Sequence, residues 1–329
     1  MSARATTIPT AAGDAVDSLE QYRTELTGYC YRMLGSAFDA EDAVQDAMTR
    51  AWRAFDRFEG RSSLRTWLYT IAHNVCLDTL DARKRRARPM DLSEASSFDS
   101  PPGEPLAGDI WIEPVPDERV VTSGGDPADT VIARESIRLA FLAALQSLPP
   151  RQRAVLILRD VLRWQASEVA ELLGTTVASA NSALQRARAT LAARGEDGNP
   201  TAPAKQSEEN LLARYVDAFE RYDIDSLTAL IAEDATQSMP PYALWLQGRD
   251  DILGWWVGPG AACRGSRLVP TTANGRAAFG QYRPSGPGGS FQPWALQVLE
   301  VEDGRVVDFS FFLDTERLFP LFGLPPTVE

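Results

Sequence analysis

The loop Phe58-Glu-Gly-Arg-Ser-Ser63 combines an aromatic wall, polar edges and a cation. A protein needs these three things to catch a nucleobase that has left its stack. Phe58, Arg61, Ser62 and Ser63 are the candidates there. Asn74 falls four residues after Thr70, on one helix face, and can offer amide donors and acceptors to a flipped base. Arg65 suits a phosphate. The run Arg83-Lys84-Arg85-Arg86-Ala87-Arg88 holds more cations than a helix end needs to balance its dipole, and phosphate binding is the better account of it. A second polar set, Ser179, Asn181, Ser182 and Gln185, suits base edges, with Asn and Gln matched to adenine. Arg186 and Arg188 beside it suit phosphate or guanine. Arg151 and Arg153 either touch a nucleic-acid backbone or are simply solvated. Tyr242, Trp245, Trp255, Trp256, Trp294, Gln297 and Asp314 could line a pocket, although packing and surface roles explain them as well.

Other chemistries have little to work with. The one histidine, His73, sits inside a helical pattern and is expected at a surface or interface. Cys30, Cys76 and Cys263 are far apart, with no CxxC pair, so neither a metal knuckle nor a redox motif can be built locally. No catalytic group, metal site or cofactor is expected. The C-terminal third offers Asp314 and tyrosines but no clear carboxylate pair for acid–base work.

The elements that must position these groups follow from pattern. Of 329 residues, 44% are apolar, enough for two or three domains with real cores. No apolar run approaches the roughly 18–20 residues of a membrane helix, and a cytoplasmic location is expected. The net charge of -12 looks wrong for a nucleic-acid binder. The acid, however, is concentrated in 89–130 and in the C-terminal third, and local patches decide binding.

Residues 1–16 read as a disordered start and 17–88 as three helices. The first carries Leu19, Tyr22, Leu26, Tyr29, Cys30 and Met33 inward and ends at Gly35. The second opens at Asp39, which can cap it, and buries Val44, Met48, Ala51, Trp52 and Phe55. The third, capped by Ser62 or Ser63, turns Leu64, Trp67, Leu68, Ile71 and Val75 inward. Residues 89–130 are acidic and proline-rich and read as a linker, in which Trp111 and Ile112 could dock on something. Residues 131–195 return to helices. The last two, Ser167–Leu173 and one capped by Thr176, flank Gly174 as a helix-turn-helix. A second linker, 196–207, precedes 208–329. There two helices lead into strand pairs around Asn274-Gly275 and Asp303-Gly304, which indicates an α+β domain. The apolar tail Leu318-Phe-Pro-Leu-Phe-Gly-Leu324 reads as a docking segment.

At this point the chain resembles a known family. Ala40-Glu-Asp-Ala-Val-Gln-Asp-Ala-Met-Thr-Arg-Ala-Trp52 is similar to sigma region 2.2, and Phe58 to Asn74 to regions 2.3 and 2.4. Leu148-Pro-Pro-Arg-Gln-Arg-Ala-Val-Leu156, Glu168-Val-Ala-Glu-Leu-Leu-Gly174 and Leu184-Gln-Arg-Ala-Arg188 are similar to region 4. The order and spacing resemble the extracytoplasmic-function (ECF) sigma factors, followed by a SnoaL-like domain of the NTF2-like fold. The resemblance implies a multidomain chain: two all-α sigma domains, a region 2 bundle and a region 4 helix-turn-helix, plus an α+β cone. It implies an alternative sigma factor that binds RNA polymerase core through the β′ clamp and β flap. Glu41, Asp42, Gln45, Asp46 and Arg50 would dock on the clamp. The set from Phe58 to Arg86, with Tyr69 included, would handle the −10 element, and Ser179 to Arg188 the −35 element. Asn181 and Ala183 stand where relatives often carry Lys or Arg, which alters the expected −35 preference. The C-terminal domain would regulate the sigma domains by intramolecular contact and could take a small ligand. The alternatives are a ligand-sensing DNA-binding regulator and an NTF2-like enzyme fused to a DNA-binding module.

Overall fold

The computed structural model describes residues 17–82, 85–122, 126–193 and 205–328. They form two units, Met1–Arg86 with Ile112–Gly198, and Ala87–Trp111 with Asn199–Glu329. The acidic stretch 89–130 is therefore divided between them.

The first unit is helical. Helix α1 (Arg23–Leu34) buries Leu26, Tyr29, Cys30 and Met33, as its spacing predicts, and Gly35 ends it with a left-handed φ of 72°. Helix α2 (Ala37–Ala54) is capped by Ser36, whose hydroxyl accepts from the Asp39 amide at 3.1 Å. The sequence reading placed the cap at Asp39; that carboxylate is instead spent on an ion pair. Helix α3 (Leu64–Asp81) is capped by Ser63 and stops before the basic run. Four short helices follow: α4 (Asp117–Val120), α5 (Pro127–Glu135), α6 (Leu139–Gln146) and α7 (Pro150–Leu156). Helices α8 (Ala166–Leu172) and α9 (Val177–Ala192) make the helix-turn-helix, with Thr176 capping α9 by accepting from the Ser179 amide at 3.1 Å.

In this unit the residues after Trp111 are packed, not free. Ile112, Val115 and Val120 are buried, and the Glu113 amide donates to the Gly35 carbonyl at 3.0 Å. Gly28 of α1 permits this approach. A Cβ there would lie 2.6 Å from the Val120 carbonyl oxygen, a distance no side chain tolerates.

The second unit wraps a six-stranded sheet. Helices α10 (Lys205–Arg221) and α11 (Ile224–Leu230) precede β1 (Ile231–Ser238) and β2 (Trp245–Gln247). Helix α12 (Arg249–Val257) leads to β3 (Arg267–Ala273), β4 (Arg276–Arg283), β5 (Gln292–Glu302) and β6 (Arg305–Phe312), and α13 (Thr315–Leu321) closes the chain. The order is β2-β1-β6-β5-β4-β3, antiparallel except for the β1–β6 pair. Both predicted hairpin turns have positive φ at the two central residues, 56° and 73° at Asn274-Gly275 and 47° and 71° at Asp303-Gly304. That geometry matches the twist of the strands it joins. The core of Tyr215, Phe219, Trp256, Phe279 and Phe309 lies between sheet and helices. The apolar tail belongs to this unit's own interior. Leu318 and Phe319 are buried, with the Phe319 ring 5.2 Å from that of Tyr282.

Residues 87–111 complete this unit. The Ser96 amide donates to the Trp245 carbonyl at 2.8 Å beside β2, and the Trp245 indole donates to the Ser93 carbonyl at 2.9 Å. The segment thus covers the sheet edge at β2, a position that would otherwise expose unpaired amides.

Candidate nucleic-acid interface

The first polar set divides into an outer rim and a covered part. Asn74 is exposed on α3, and Thr70 is half-buried with its hydroxyl donating to the Thr66 carbonyl at 2.9 Å. Arg61 is exposed and paired with Glu59; Ser62 is half-buried, and Ser63 is exposed and serves as the cap. The Phe58 ring lies 5.0 Å from that of Trp67, tilted by 38°, with Phe55 completing an aromatic cluster. Trp67 and Ile71 are only half-buried.

Arg65 and Tyr69 are covered by region 4. Arg65 pairs with Glu25, and its guanidinium lies 4.6 Å over the Trp164 ring. Tyr69 is fully buried, 4.8 Å from Trp164, and donates to Glu25 at 2.9 Å. Burial, then the Glu25 carboxylate, push its phenol well above the usual range.

The basic run serves more than one purpose. Arg85 is exposed. Arg86, expected on phosphate, is 5% exposed and donates to the Asp39 carboxylate at 2.7 Å, with Glu113 at 3.8 Å. It holds α2 to the segment after Trp111. Arg83 and Lys84 lie outside the described residues.

Two further buried arginines tie α1 to later helices, Arg32 to the end of α5 and Arg153, from region 4, to the end of α1. Arg32 donates to the Ser136 hydroxyl, the Gly28 carbonyl and the Ala133 carbonyl. Arg153 donates to the carbonyls of Met33, Gln146 and Leu148 and to the Gln146 side chain. The sequence reading offered Arg153 to DNA or solvent; it is interior, whereas Arg151 is exposed. Burial lowers both Arg32 and Arg153 to about 10, and Arg85 adds to the shift at Arg153, so both stay charged at neutral pH.

His73 is likewise internal, 6% exposed, with the Tyr29 hydroxyl 2.9 Å from Nδ1. Burial, then Arg151, lower it from 6.5 to about 4. The folded state therefore holds it neutral while an unfolded chain would protonate below pH 6.5. The corresponding stability, about 3 kcal/mol at most, is present above pH 6.5 and lost as pH falls toward 4. Urea melts of the native chain and His73→Gln should show the native chain losing more stability across that window. Parallel pH curves would remove His73 as the cause.

On α2, Asp42, Gln45 and Arg50 are exposed. Arg50 pairs with Asp46 at 2.7 Å and Asp78 at 3.3 Å, and Glu41 with Arg119 at 3.2 Å. Trp52, assigned to the core by its apolarity, is 55% exposed. With Gln45, Met48 and Thr49 it lines a shallow depression also bounded by Leu19 and Arg23. The spacing 45, 49, 52 puts it on the polar stripe, a signal that could have found it. An exposed Trp amid polar residues is typical of a protein-contact anchor.

In the helix-turn-helix, Ala180, Ala183, Leu184, Ala187 and Leu191 of α9 face inward. Asn181, Ser182, Gln185, Arg186 and Arg188 are exposed and Ser179 is half-buried. Arg188 is held by Asp160 at 2.6 and 2.9 Å. Both Asn74 and Gln185 are thus open to solvent.

The second unit contains a cavity of about 340 Å³. Of the residues that could line a pocket, Tyr242, Trp255, Trp256 and Trp294 line this one, whereas Trp245, Gln297 and Asp314 do not. Trp245 is held by Ser93, and Asp314 is exposed beside Arg317 at 3.3 Å. Gln297 sits one residue deeper, accepting from the Tyr215 hydroxyl and donating to Gln281, which does line the cavity. Among the described residues no group of three or more His, Cys, Asp or Glu could hold a metal, and no helix is long and apolar enough to cross a membrane.

The fold and its exposed faces define a class. Residues 19–86 match Sigma-70 region 2, 138–191 match Sigma-70 region 4, and 212–309 match the SnoaL-like domain. The chain belongs to the ECF RNA polymerase sigma factor family, in the form that carries a C-terminal SnoaL-like domain. It is 45% identical to the ECF RNA polymerase sigma factor SigG of Mycobacterium tuberculosis, over 96% of this chain and 85% of that one. It is 31% identical to SigJ of the same species over 67% of this chain and 63% of that one. The crystal structure of M. tuberculosis SigJ shares its fold with a TM-score of 0.60 and 24% identity, covering 94% of this chain and all of that one.

Proposed function

We propose that the chain binds RNA polymerase core in the cytoplasm and directs it to promoters. Region 2 captures and melts the −10 element, and region 4 reads the −35 element. The observation that carries this reading is the exposure of two amide-bearing helix faces, Asn74 on α3 and Asn181 with Gln185 on α9, backed by buried apolar stripes. The α9 face is suited to the major groove, where bidentate amide contacts favour adenine. The α2 stripe of Asp42, Gln45 and Arg50 around Trp52 docks on the β′ clamp, and region 4 on the β flap. The C-terminal unit acts as a regulator of these contacts, not as an enzyme.

In the free chain, region 4 sits over Arg65 and Tyr69, with Arg153 donating to the Met33 carbonyl and Arg32 to Ser136 just before region 4. Core binding and −10 capture therefore compete with an internal packing arrangement, and the apparent affinity is reduced by the fraction of chain that is open.

Selection of promoters from a randomised pool by core plus this chain tests the assignment of faces. Asn74→Ala should relax preference in the −10 block alone and Gln185→Ala in the −35 block alone, each by about 1–3 kcal/mol of discrimination. Uniform loss across all sequences, with a lowered melting temperature, would mean that these residues serve stability only.

A further inference from the structure

The cavity of the C-terminal unit has a one-sided chemistry. Its wall is aromatic, with Tyr222, Trp255, Trp256, Trp294 and Phe311 among the lining residues. None of the described residues lining it is a carboxylate or a histidine. One is a cation, Arg283, whose guanidinium lies 4.0 Å from the Trp294 ring centroid. Its Nε is buried without a hydrogen-bond acceptor. That nitrogen is sealed off, but the side chain lines the cavity with no carboxylate among the described lining residues, so an oxyanion there would meet an uncompensated cation.

Gln237 adds a second donor. It is 1% exposed, and its side-chain oxygen is occupied by the Trp256 indole at 2.6 Å. That bond turns the amide nitrogen, a pure donor, toward other partners, and Gln237 lines the cavity. The position of Trp294 is set by a break in the sheet. Gln281 pairs with Ala295 and Tyr282 with Pro293, so Trp294 is the extra residue of a bulge. Bulges re-aim side chains in this way, here placing an indole under the arginine at the cavity.

We propose that this cavity binds a planar, largely apolar molecule bearing a single anionic oxygen group, such as an aromatic carboxylate. The rings lie among the tryptophans, and the anion is met by Arg283 and Gln237. Pro102 is also part of the wall, and it belongs to the acidic segment between the two sigma regions. Occupancy and docking of that segment are thereby thermodynamically linked, whichever way the coupling runs. This consequence rests on the regulatory reading of the C-terminal unit; the binding itself does not.

Isothermal titration of the full chain, without polymerase or DNA, with 2-naphthoate and with its neutral isostere 2-naphthamide tests the proposal. The carboxylate should bind one to one and at least about tenfold more tightly than the amide, the ratio expected of one charge-assisted hydrogen bond in a partly closed site. Arg283→Met should abolish the preference, weakening the carboxylate by at least about tenfold more than the amide. Equal affinities in the native chain, or no binding of either probe at millimolar concentration, overturn the proposal. If Arg283→Met does not fold, the carboxylate-to-amide ratio of the native chain still decides, and Arg283→Lys, which keeps the charge without the planar stack, should retain part of it. Failure here leaves the promoter-reading assignment untouched, because no transcription is measured.

Discussion

The Arg86→Met chain is expected to lose about 3–5 kcal/mol of stability in its helical unit, the usual cost of removing one partner from a buried ion pair. Asp39, 8% exposed, would lose its 2.7 Å ion pair with Arg86. The neighbour Arg85, exposed at the same end of region 2, should behave in the opposite manner. Arg85→Ala should leave the urea midpoint almost unchanged and lower the salt dependence of promoter binding by about one ion. The contrast separates two cations that adjacent positions in a basic run make look alike. A normal melt for Arg86→Met together with weakened DNA binding would put Arg86 back among the phosphate contacts.

Trp164→Ala carries the second large effect. Trp164 is 3% exposed and fills the space between Arg65 and Tyr69 of region 2 and the start of the helix-turn-helix. Loss of a buried indole costs about 3–5 kcal/mol, and much of that loss falls on the contact between regions 2 and 4. If region 4 must leave Tyr69 before the −10 strand can enter, the variant should need several-fold less core for half-maximal transcription despite being less stable. The gain is capped by how rarely the native chain is open. A higher core requirement would mean that the packed arrangement assists assembly instead of opposing it. Arg32, through Ser136 and the Ala133 carbonyl, and Arg153, through the Met33 carbonyl, hold the same helices together by neutral acceptors that their removal would strand, so Trp164 is the cleaner probe.

What the sequence could reveal was local. Asn-Gly and Asp-Gly demand positive φ at both positions, so the two hairpin turns could be read directly. Ser63 and Thr176 cap as their positions suggest, because a cap is decided within four residues. The reading failed where a partner comes from far along the chain. Asp39 looks like a cap until Arg86 is found beside it, 47 residues on. His73, Arg86 and Arg153 are polar and were assigned outward, but each is enclosed by residues of distant elements. The acidic, proline-rich composition of 89–130 suggested a free tether. Its sparse apolar residues, Trp111 and Ile112, together with Val115 and Val120, are enough to seat it, since its ends fold with different units. Trp52 shows the reverse error, an apolar residue assumed internal on a stripe that is otherwise polar.

The site was legible in the same proportion. The exposed face of α9 follows from helical period and needs no long-range information. The cavity does not. Trp294 reaches it through a bulge that alternation cannot reveal, and Gln297 is held one layer deeper by Tyr215.

Start-site selection by core polymerase should depend on this chain. Multi-round transcription by sigma-free core on a genomic fragment library, with and without the full chain, measures this directly. Start sites are expected that appear only when the chain is added and that share two conserved blocks upstream. A chain that binds such DNA but yields the same transcripts as core alone would contradict this dependence.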